Sequence, residues 1–318
     1  MQVTVKENLK AYLVNIMILY KYREDNENTE KIFTDKKVWL SNALGLNDPF
    51  ECSIQEIAKD WINNKILESK QGHISGFVHS AQMSINKRSD FYGLTPKQTK
   101  EYLKKFLKRD FGHQYESSRD FITRKTGRIT SNPNNTYMNF DKQLNEVGIF
   151  SLSETSLDQL MWSHYGGNSK GIALGFEVKK GNKLANKDHC LKVNYSDILP
   201  KHNPDGFLVQ VDFMATGENI QRICFNDPTL QLAIATKPTC WSYEREWRYV
   251  EEKSGLYNYP GKLKEIVFGL NCKQDVRQKY LKLISNHLPE NIEIYEITNE
   301  PNTNQINRKK LPLAGAVL

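Results

Sequence analysis

The pattern of apolar residues changes twice along this chain, and that double change limits the folds open to it. Near the start, residues 16–23 (Ile-Met-Ile-Leu-Tyr-Lys-Tyr-Arg) and Lys37–Leu40 are short β-branched and aromatic runs, the composition of strands. From 54 to 128 the period becomes helical: Ile54, Ile57, Ala58 and Trp61, then Tyr102, Leu103, Phe106 and Leu107 after a start signal at Thr95-Pro96. Strand signals return at 147–153, 170–178, 191–195, 246–251, 264–269 and 292–297, with short helices at 156–165, 229–235 and 274–287. Strands drawn from both sides of a helical block predict an α+β protein with a mixed, largely antiparallel sheet. The expectation is a single domain over 1–318 with a mostly helical insertion at about 54–128. The stretch 129–139, with Ser131-Asn132-Pro133-Asn134-Asn135, reads as a loop or linker. The tail from Asn299 onward reads as frayed.

Charge is distributed unevenly. The formal net charge is +7, and residues 87–128 hold twelve Lys/Arg against five Asp/Glu, an excess of seven that accounts for all of it. The basic segment 84–128 is therefore expected to attract nucleic acid or another acidic macromolecule. Five Cys occur without a CxxC pair, which argues against a disulfide framework or a thiolate zinc site and suits a reducing, cytoplasmic compartment. No leader segment is read at the start. The apolar run Val14–Tyr20 is too short for a membrane span of about 20 residues, so it reads as a strand and no membrane is expected. The one His pair at close spacing, His73 and His79, has no nearby Cys, so no metal is expected. P-loop, GxGxxG, GxSxG and HExxH motifs are absent.

Three polar groups stand out. In Trp241-Ser242-Tyr243-Glu244-Arg245-Glu246-Trp247-Arg248-Tyr249, read as a strand, Tyr243, Trp247 and Tyr249 point one way and Glu244, Glu246 and Arg248 the other. Such a carboxylate pair suits holding a sugar hydroxyl and stabilising positive charge that develops beside it. In the second group, Ser151 and Ser153 share a strand face. Thr155 then reads as a helix cap, with Asp158 favouring the new N-terminus, and Leu157, Leu160, Met161 and His164 follow helical spacing, placing His164 on the buried side. The third group is Tyr20-Lys21-Tyr22-Arg23 with Asn47-Asp48-Pro49-Phe50-Glu51. Lys21 and Arg23 share a strand face suited to phosphate, whereas Asn47 and Asp48 read as turn builders. In Gly171-Ile172-Ala173-Leu174-Gly175 one strand face is nearly free of side chains, which allows another element or a ligand close approach.

These groups, with Met161-Trp162-Ser163-His164-Tyr165, occur in an order that resembles the bacterial domain-of-unknown-function family two-nine-seven-one, over roughly 18–270. A second resemblance, to ADP-ribosyltransferases of the Arg–Ser–Glu type, rests on Arg23, on Ser151 and Ser153, and on Glu244-Arg245-Glu246 in the same order. It implies a split-sheet core and NAD as substrate. Arg23 would grip the NAD phosphate or ribose, Ser151 or Ser153 would support the nicotinamide ribose, Glu246 would stabilise the transition state and Glu244 would help the acceptor attack. His164 and Tyr165 resemble the His–Tyr–Glu variant of that fold. His164 thus joins the catalytic candidates, and Tyr22, Tyr165 and Arg248 the NAD-contacting ones. Such enzymes often act as toxins or antiphage effectors. Two other readings stay open: a metal-dependent nuclease or nucleic-acid-binding protein in which Glu244, Glu246 and Asp48 hold Mg²⁺, and a non-catalytic interaction module.

Overall fold

The computed structural model describes residues 17–130, 132–138, 140–213, 219–288 and 291–312; the expected strand residues Val14–Ile16 lie outside them. The chain forms two compact units. One comprises residues up to Ser53, Asn145–Leu199 and Ala233 onward. The other comprises Ile54–Leu144 and Pro200–Leu232, so it takes in more than the helical block read from the sequence.

The first unit is built on an eight-stranded sheet. Its strands are β1 (Met17–Arg23), β2 (Gly148–Ser153), β3 (Ile172–Val178), β4 (Cys190–Lys192), β5 (Glu246–Glu251), β6 (Leu263–Phe268), β7 (Glu293–Asn299) and β8 (Ile306–Leu311). They lie in the order β8-β7-β6-β3-β1-β2-β5-β4. Every pairing is antiparallel except β6 with β7. A parallel neighbour requires a crossover, and the helix Gln274–His287 supplies it. The class is thus α+β with a mixed, largely antiparallel sheet.

Both faces of the sheet are covered. On one, Leu19, Leu152, Leu174, Phe176, Ile266 and Phe268 pack with Ile32 and Phe33 of the helix Glu27–Asp35 and with Tyr280 and Ile284 of the crossover helix. On the other, Tyr20, Tyr22, Ala173 and Val267 pack with Met161 and Trp162 of the helix Gln159–His164. Strand β3, between them, is buried from Ile172 to Glu177. The small residues on its second face are closed over by side chains: a Cβ on Gly175 would stand 2.9 Å from Glu265 Cβ and from Ile18 Cγ2.

The join between β1 and β2 positions the site. β1 pairs with β3 at seven register positions and β5 with β2 at six. β1 meets β2 at one, Tyr20 opposite Ser153. Past that point the two strands part, and the sheet is split between residues 21–24 and residues 149–152.

From Asn299 to Pro312 the tail is structured, contrary to the expectation of fraying; the expected frayed residues beyond Pro312 lie outside the described ones. β8 pairs with β7 from Ile306 to Leu311, and its Arg308 reaches Glu265 at 2.6 Å and the Tyr20 hydroxyl at 2.8 Å. A basic edge strand has acids to bind on its neighbours, so a polar composition did not mean a loose end.

The second unit is a helical module. Helices Lys59–Lys87, Pro96–Phe106 and Phe111–Thr126 enclose a core of Ile74, Phe77, Ala81, Phe91, Leu103, Phe106, Tyr115 and Phe121. Thr95 and Gln98 form a reciprocal capping box with Pro96 at the first helical position. The predicted linker 129–139 is corrected: Pro133–Met138 is a helix. The Asn132 side chain accepts the Asn134 amide at 3.0 Å, so Ser-Asn-Pro is a cap followed by Pro at the first turn rather than a break. A two-stranded ribbon of Val209–Phe213 and Asn219–Ile223 completes the unit.

Candidate active site

A cleft of about 450 Å³ occupies the split, within the roughly 300–1,000 Å³ of small-molecule sites. Lys21, Tyr22 and Arg23 line one wall, Ile149, Ser151 and Leu152 the other, and Lys237, Glu244, Glu246 and Glu51 the floor. His164, Tyr165, Asn47 and Trp39 complete the lining; Trp39 is 57% exposed.

The sequence around Glu244 folds unlike the expected strand. Thr239–Glu244 is a 3₁₀ helix, Arg245 takes a left-handed backbone (φ +47°), and β5 starts at Glu246. Tyr243 therefore leaves the row it was expected to share with Trp247 and Tyr249. The turn is pinned by Ser153 Oγ donating to the Glu244 carbonyl at 2.7 Å and by the Glu246 amide donating to the Tyr195 hydroxyl at 2.8 Å.

Despite the kink, both carboxylates converge on one cation. Lys237 Nζ lies 2.6 Å from Glu244, 3.0 Å from Glu51 and 3.3 Å from Glu246. Arg248, fully buried, binds Glu246 through Nε at 3.0 Å, pairs with Glu51 and donates to the Ile234 carbonyl. Three carboxylates thus share two cations, all five residues buried, and the carboxylates differ. Burial, reinforced by Glu246, holds the Glu244 carboxyl above its usual range against the pull of Lys237. Burial works to raise Glu246 too, but Arg248 and Lys237, with a hydrogen bond from Ser151, bring it down to about 2. Two acids whose environments drive them apart in this way are the pattern of an acid/base residue beside a permanent anion. Tyr165 donates to Glu244 Oε1 at 2.6 Å. Burial and that carboxylate hold its hydroxyl protonated.

The walls carry the opposite imbalance. Lys21 lies over the Phe150 ring, 4.9 Å from its centroid. Arg23 Nε is buried without a hydrogen-bond acceptor. Among the described residues neither has an acid within ion-pair distance; the floor carboxylates are held by Lys237 and Arg248, and the acid that acts on Arg23 is its chain neighbour Glu24. Burial, then Arg23, bring the Lys21 ammonium down to about 7. The strand end is fixed by close packing: a Cβ on Gly171 would fall 2.1 Å from the Arg23 carbonyl oxygen.

The cleft gathers Arg23, Tyr22, Ser151, His164, Tyr165, Glu244 and Glu246 of the expected set. Four expectations are corrected. Tyr22 spends its hydroxyl on the Thr155 carbonyl at 2.8 Å and packs edge-on against Trp162, because alternation turns it away from Lys21 and Arg23. Ser153 is fully buried and does not line the cleft. Arg248 is a buried partner of Glu51 and Glu246 rather than a ligand contact. His164 is exposed at the rim, not buried, since the helix starts only at Gln159 with Asp158 as its cap in place of Thr155. Asp48, assigned to a metal in the nuclease reading, accepts from Trp241 Nε1 at 2.7 Å and from the Phe50 amide at 2.9 Å. The acids that converge fill their common point with Lys237 Nζ, and no cluster of three or more His, Cys, Asp or Glu among the described residues has a metal-holding arrangement.

The sequence reading assigned no role to Lys237 or Glu51. A lysine two residues past the apolar run Ala233-Ile234-Ala235, with only Thr236 between, was a signal: a cation there is carried inside and must find acids.

No helix among the described residues is long and apolar enough to cross a membrane. No curated protein and no solved structure matches the chain. Residues 161–249, from the helix at the cleft rim through both carboxylates to Tyr249, match the model of the family described as Protein of unknown function (DUF2971), the family that the sequence motifs resemble over roughly 18–270; the motifs at 20–23 and 47–51 lie outside the match.

Proposed function

We propose that the cleft binds NAD and transfers its ADP-ribose to an acceptor. The observation that carries this reading is the pairing, in one cleft, of two carboxylates of divergent acidity with two cations that have no acid of their own. Lys21 and Arg23 hold the diphosphate by charge-assisted bonds. Glu246, anionic throughout the neutral range, faces the ribose and stabilises the positive charge that grows at C1′ as the bond to nicotinamide breaks. Nicotinamide leaves with the bonding electron pair. The acceptor's nucleophile bonds to C1′, and its proton passes to Glu244, whose raised basicity suits that role. Ser151 orients Glu246, and Tyr165 orients Glu244.

The test is nicotinamide release and label transfer from NAD by wild type, Glu244→Gln and Arg23→Gln, with folding checked by circular dichroism. Glu244→Gln is the cleaner probe, because replacing Glu246 also disturbs Arg248. Loss of turnover by about 10²-fold or more in folded Glu244→Gln is expected. Folded wild type that neither binds nor consumes NAD removes the reading.

The helical unit supplies a partner surface in the same proposal. Lys97, Lys100 and Lys104 form an exposed stripe at helical spacing, and among the described residues none of them has an acidic partner. A phosphodiester backbone is the complement of such a stripe. Reversing these three charges is expected to weaken nucleic-acid binding and flatten its salt dependence; unchanged binding would remove this part.

A further inference from the structure

We infer that the Lys21–Arg23 wall is a proton-coupled phosphate site: a diphosphate enters the cleft together with a proton that ends on Lys21 Nζ. This deepens the reading above and rests on the same cleft.

On the strand of Lys21 stands Arg23, two residues on and on the same face. Across the split are Glu244 and Glu246, each bound to Lys237 at 2.6 and 3.3 Å, and Glu51 lies behind them, bound to Lys237 and Arg248. Glu24, His164 and Tyr165 stand at the rim, and Tyr165 is committed to Glu244. Beneath Lys21 is the Phe150 ring. The amine therefore faces one guanidinium, one ammonium and an aromatic surface, and the pull of Glu244 and Glu246 across the split is weakened because both are bound to Lys237. A charged ammonium has no counter-ion in the free cleft, and burial next to Arg23 favours its neutral form, near pH 7. An anion placed between Lys21 and Arg23 reverses that balance, since it supplies the missing counter-charge and completes the bare Arg23 Nε. Binding then draws a proton from solvent.

The pKa of Lys21 rises on binding, so proton uptake is small below the free value, about half a proton per ligand near it and approaches one above it, and affinity falls by up to about tenfold per pH unit above it. Arg23 contributes no such dependence, because guanidinium stays charged.

ADP-ribose is the probe, since its phosphodiester charges are constant around neutral pH. Calorimetry of the full chain at about pH 6, 7 and 8.5, in two buffers of different ionisation enthalpy, reads the uptake. Wild type is expected to take up a proton increasingly with pH. Lys21→Arg, permanently charged, should take up none and hold its affinity flat across the range, while His164→Gln should keep the wild-type uptake. Equal uptake by wild type and Lys21→Arg, or loss of uptake in His164→Gln, overturns the inference. NAD turnover on the same preparations separates it from the proposed reaction. Uptake without turnover sustains this site and removes the reaction, and turnover without uptake does the reverse. Folded protein that does not bind ADP-ribose removes both.

Discussion

Replacing Lys237 by Met tests whether the floor of the cleft is organised by charge. Met keeps the length and apolar stem of Lys and removes the ammonium that Glu244, Glu51 and Glu246 share. Wild type sets three carboxylates against two cations; the variant sets three against one, Arg248. The cluster must then keep one more buried uncompensated charge or take up one more proton. Protonating an ordinary carboxyl at pH 7 costs about 1.36 kcal/mol for each of roughly 2.7 units above its free value, or about 3.7 kcal/mol. That sets the expected loss, within the 3–5 kcal/mol typical of breaking a buried pair. The folded-state carboxyl is now raised above its unfolded value. Its penalty is therefore absent below about pH 4.3 and grows by about 1.4 kcal/mol per unit above it, so the loss shrinks to about 1 kcal/mol at pH 5. Glu244→Gln removes the excess negative charge instead and should cost far less. Urea unfolding followed by tryptophan fluorescence at pH 5 and 7 measures this, since Trp39, Trp162, Trp241 and Trp247 lie in the sheet unit and only Trp61 in the helical one. A loss that is the same at both pH values would mean that packing, not charge, holds the floor. A loss for Glu244→Gln equal to that for Lys237→Met would refute the charge count.

Three further substitutions probe the frame. Gly171→Ala places a Cβ 2.1 Å from the Arg23 carbonyl and 2.9 Å from Glu24 Cα, so backbone must move; a loss of about 1–3 kcal/mol and weaker ADP-ribose binding are expected by chemical unfolding and calorimetry. Phe77→Ala, at the centre of a ring cluster with Phe91, Phe106 and Phe121, should cost the helical unit about 3–5 kcal/mol, read as early loss of helical ellipticity. Thr95→Ala breaks the capping box of the helix Pro96–Phe106 and should cost about 1 kcal/mol, seen in the melting temperature.

The strands and long helices were legible because their signals are local. β-Branched and aromatic composition marked β1, alternation marked β2, and Thr95-Pro96 marked a helix start that the structure keeps. What failed was competition between equally local signals. Asn132-Pro133 is as good a helix start as a break, and the choice depends on what Phe140 and Leu144 can bury against. The Glu244–Arg248 run alternates like a strand, yet the hydrogen bond from Ser153, 91 residues away in sequence, fixes a turn through Glu244. The candidate site was half legible for the same reason. Residue types announced carboxylates and an arginine, but which acid pairs with which base depends on the split between β1 and β2. Lys237 reaches that split from a two-residue strand, Thr236–Lys237, that no periodicity could reveal.

The charge pattern of the cleft also ranks its ligands. The floor carries one carboxylate more than it has cations, and the wall carries Lys21 and Arg23 without acids. A ligand that is negative at one end and positive at the other gains from both. NAD has that form, with a diphosphate for the wall and a cationic nicotinamide for the floor; its reduced form keeps the diphosphate and loses the cation. Unit charges roughly 8 Å apart at an effective dielectric of about 20 interact by about 2 kcal/mol. Since Glu244 neutralises part of the excess by holding a proton for some of the time, the expected preference for the oxidised form is about 1–2 kcal/mol, or roughly 5- to 30-fold in Kd. Calorimetric titration of Glu244→Gln, expected to bind without turnover, compares the two ligands directly. Its floor is neutral by count, so its preference should be largely lost, and Glu246→Gln/Glu244→Gln, with one cation in excess, should favour the reduced form. Reduced dinucleotide binding as tightly as oxidised to wild type would mean that the floor does not face the nicotinamide, and the assignment of Glu246 to the ribose would fall with it.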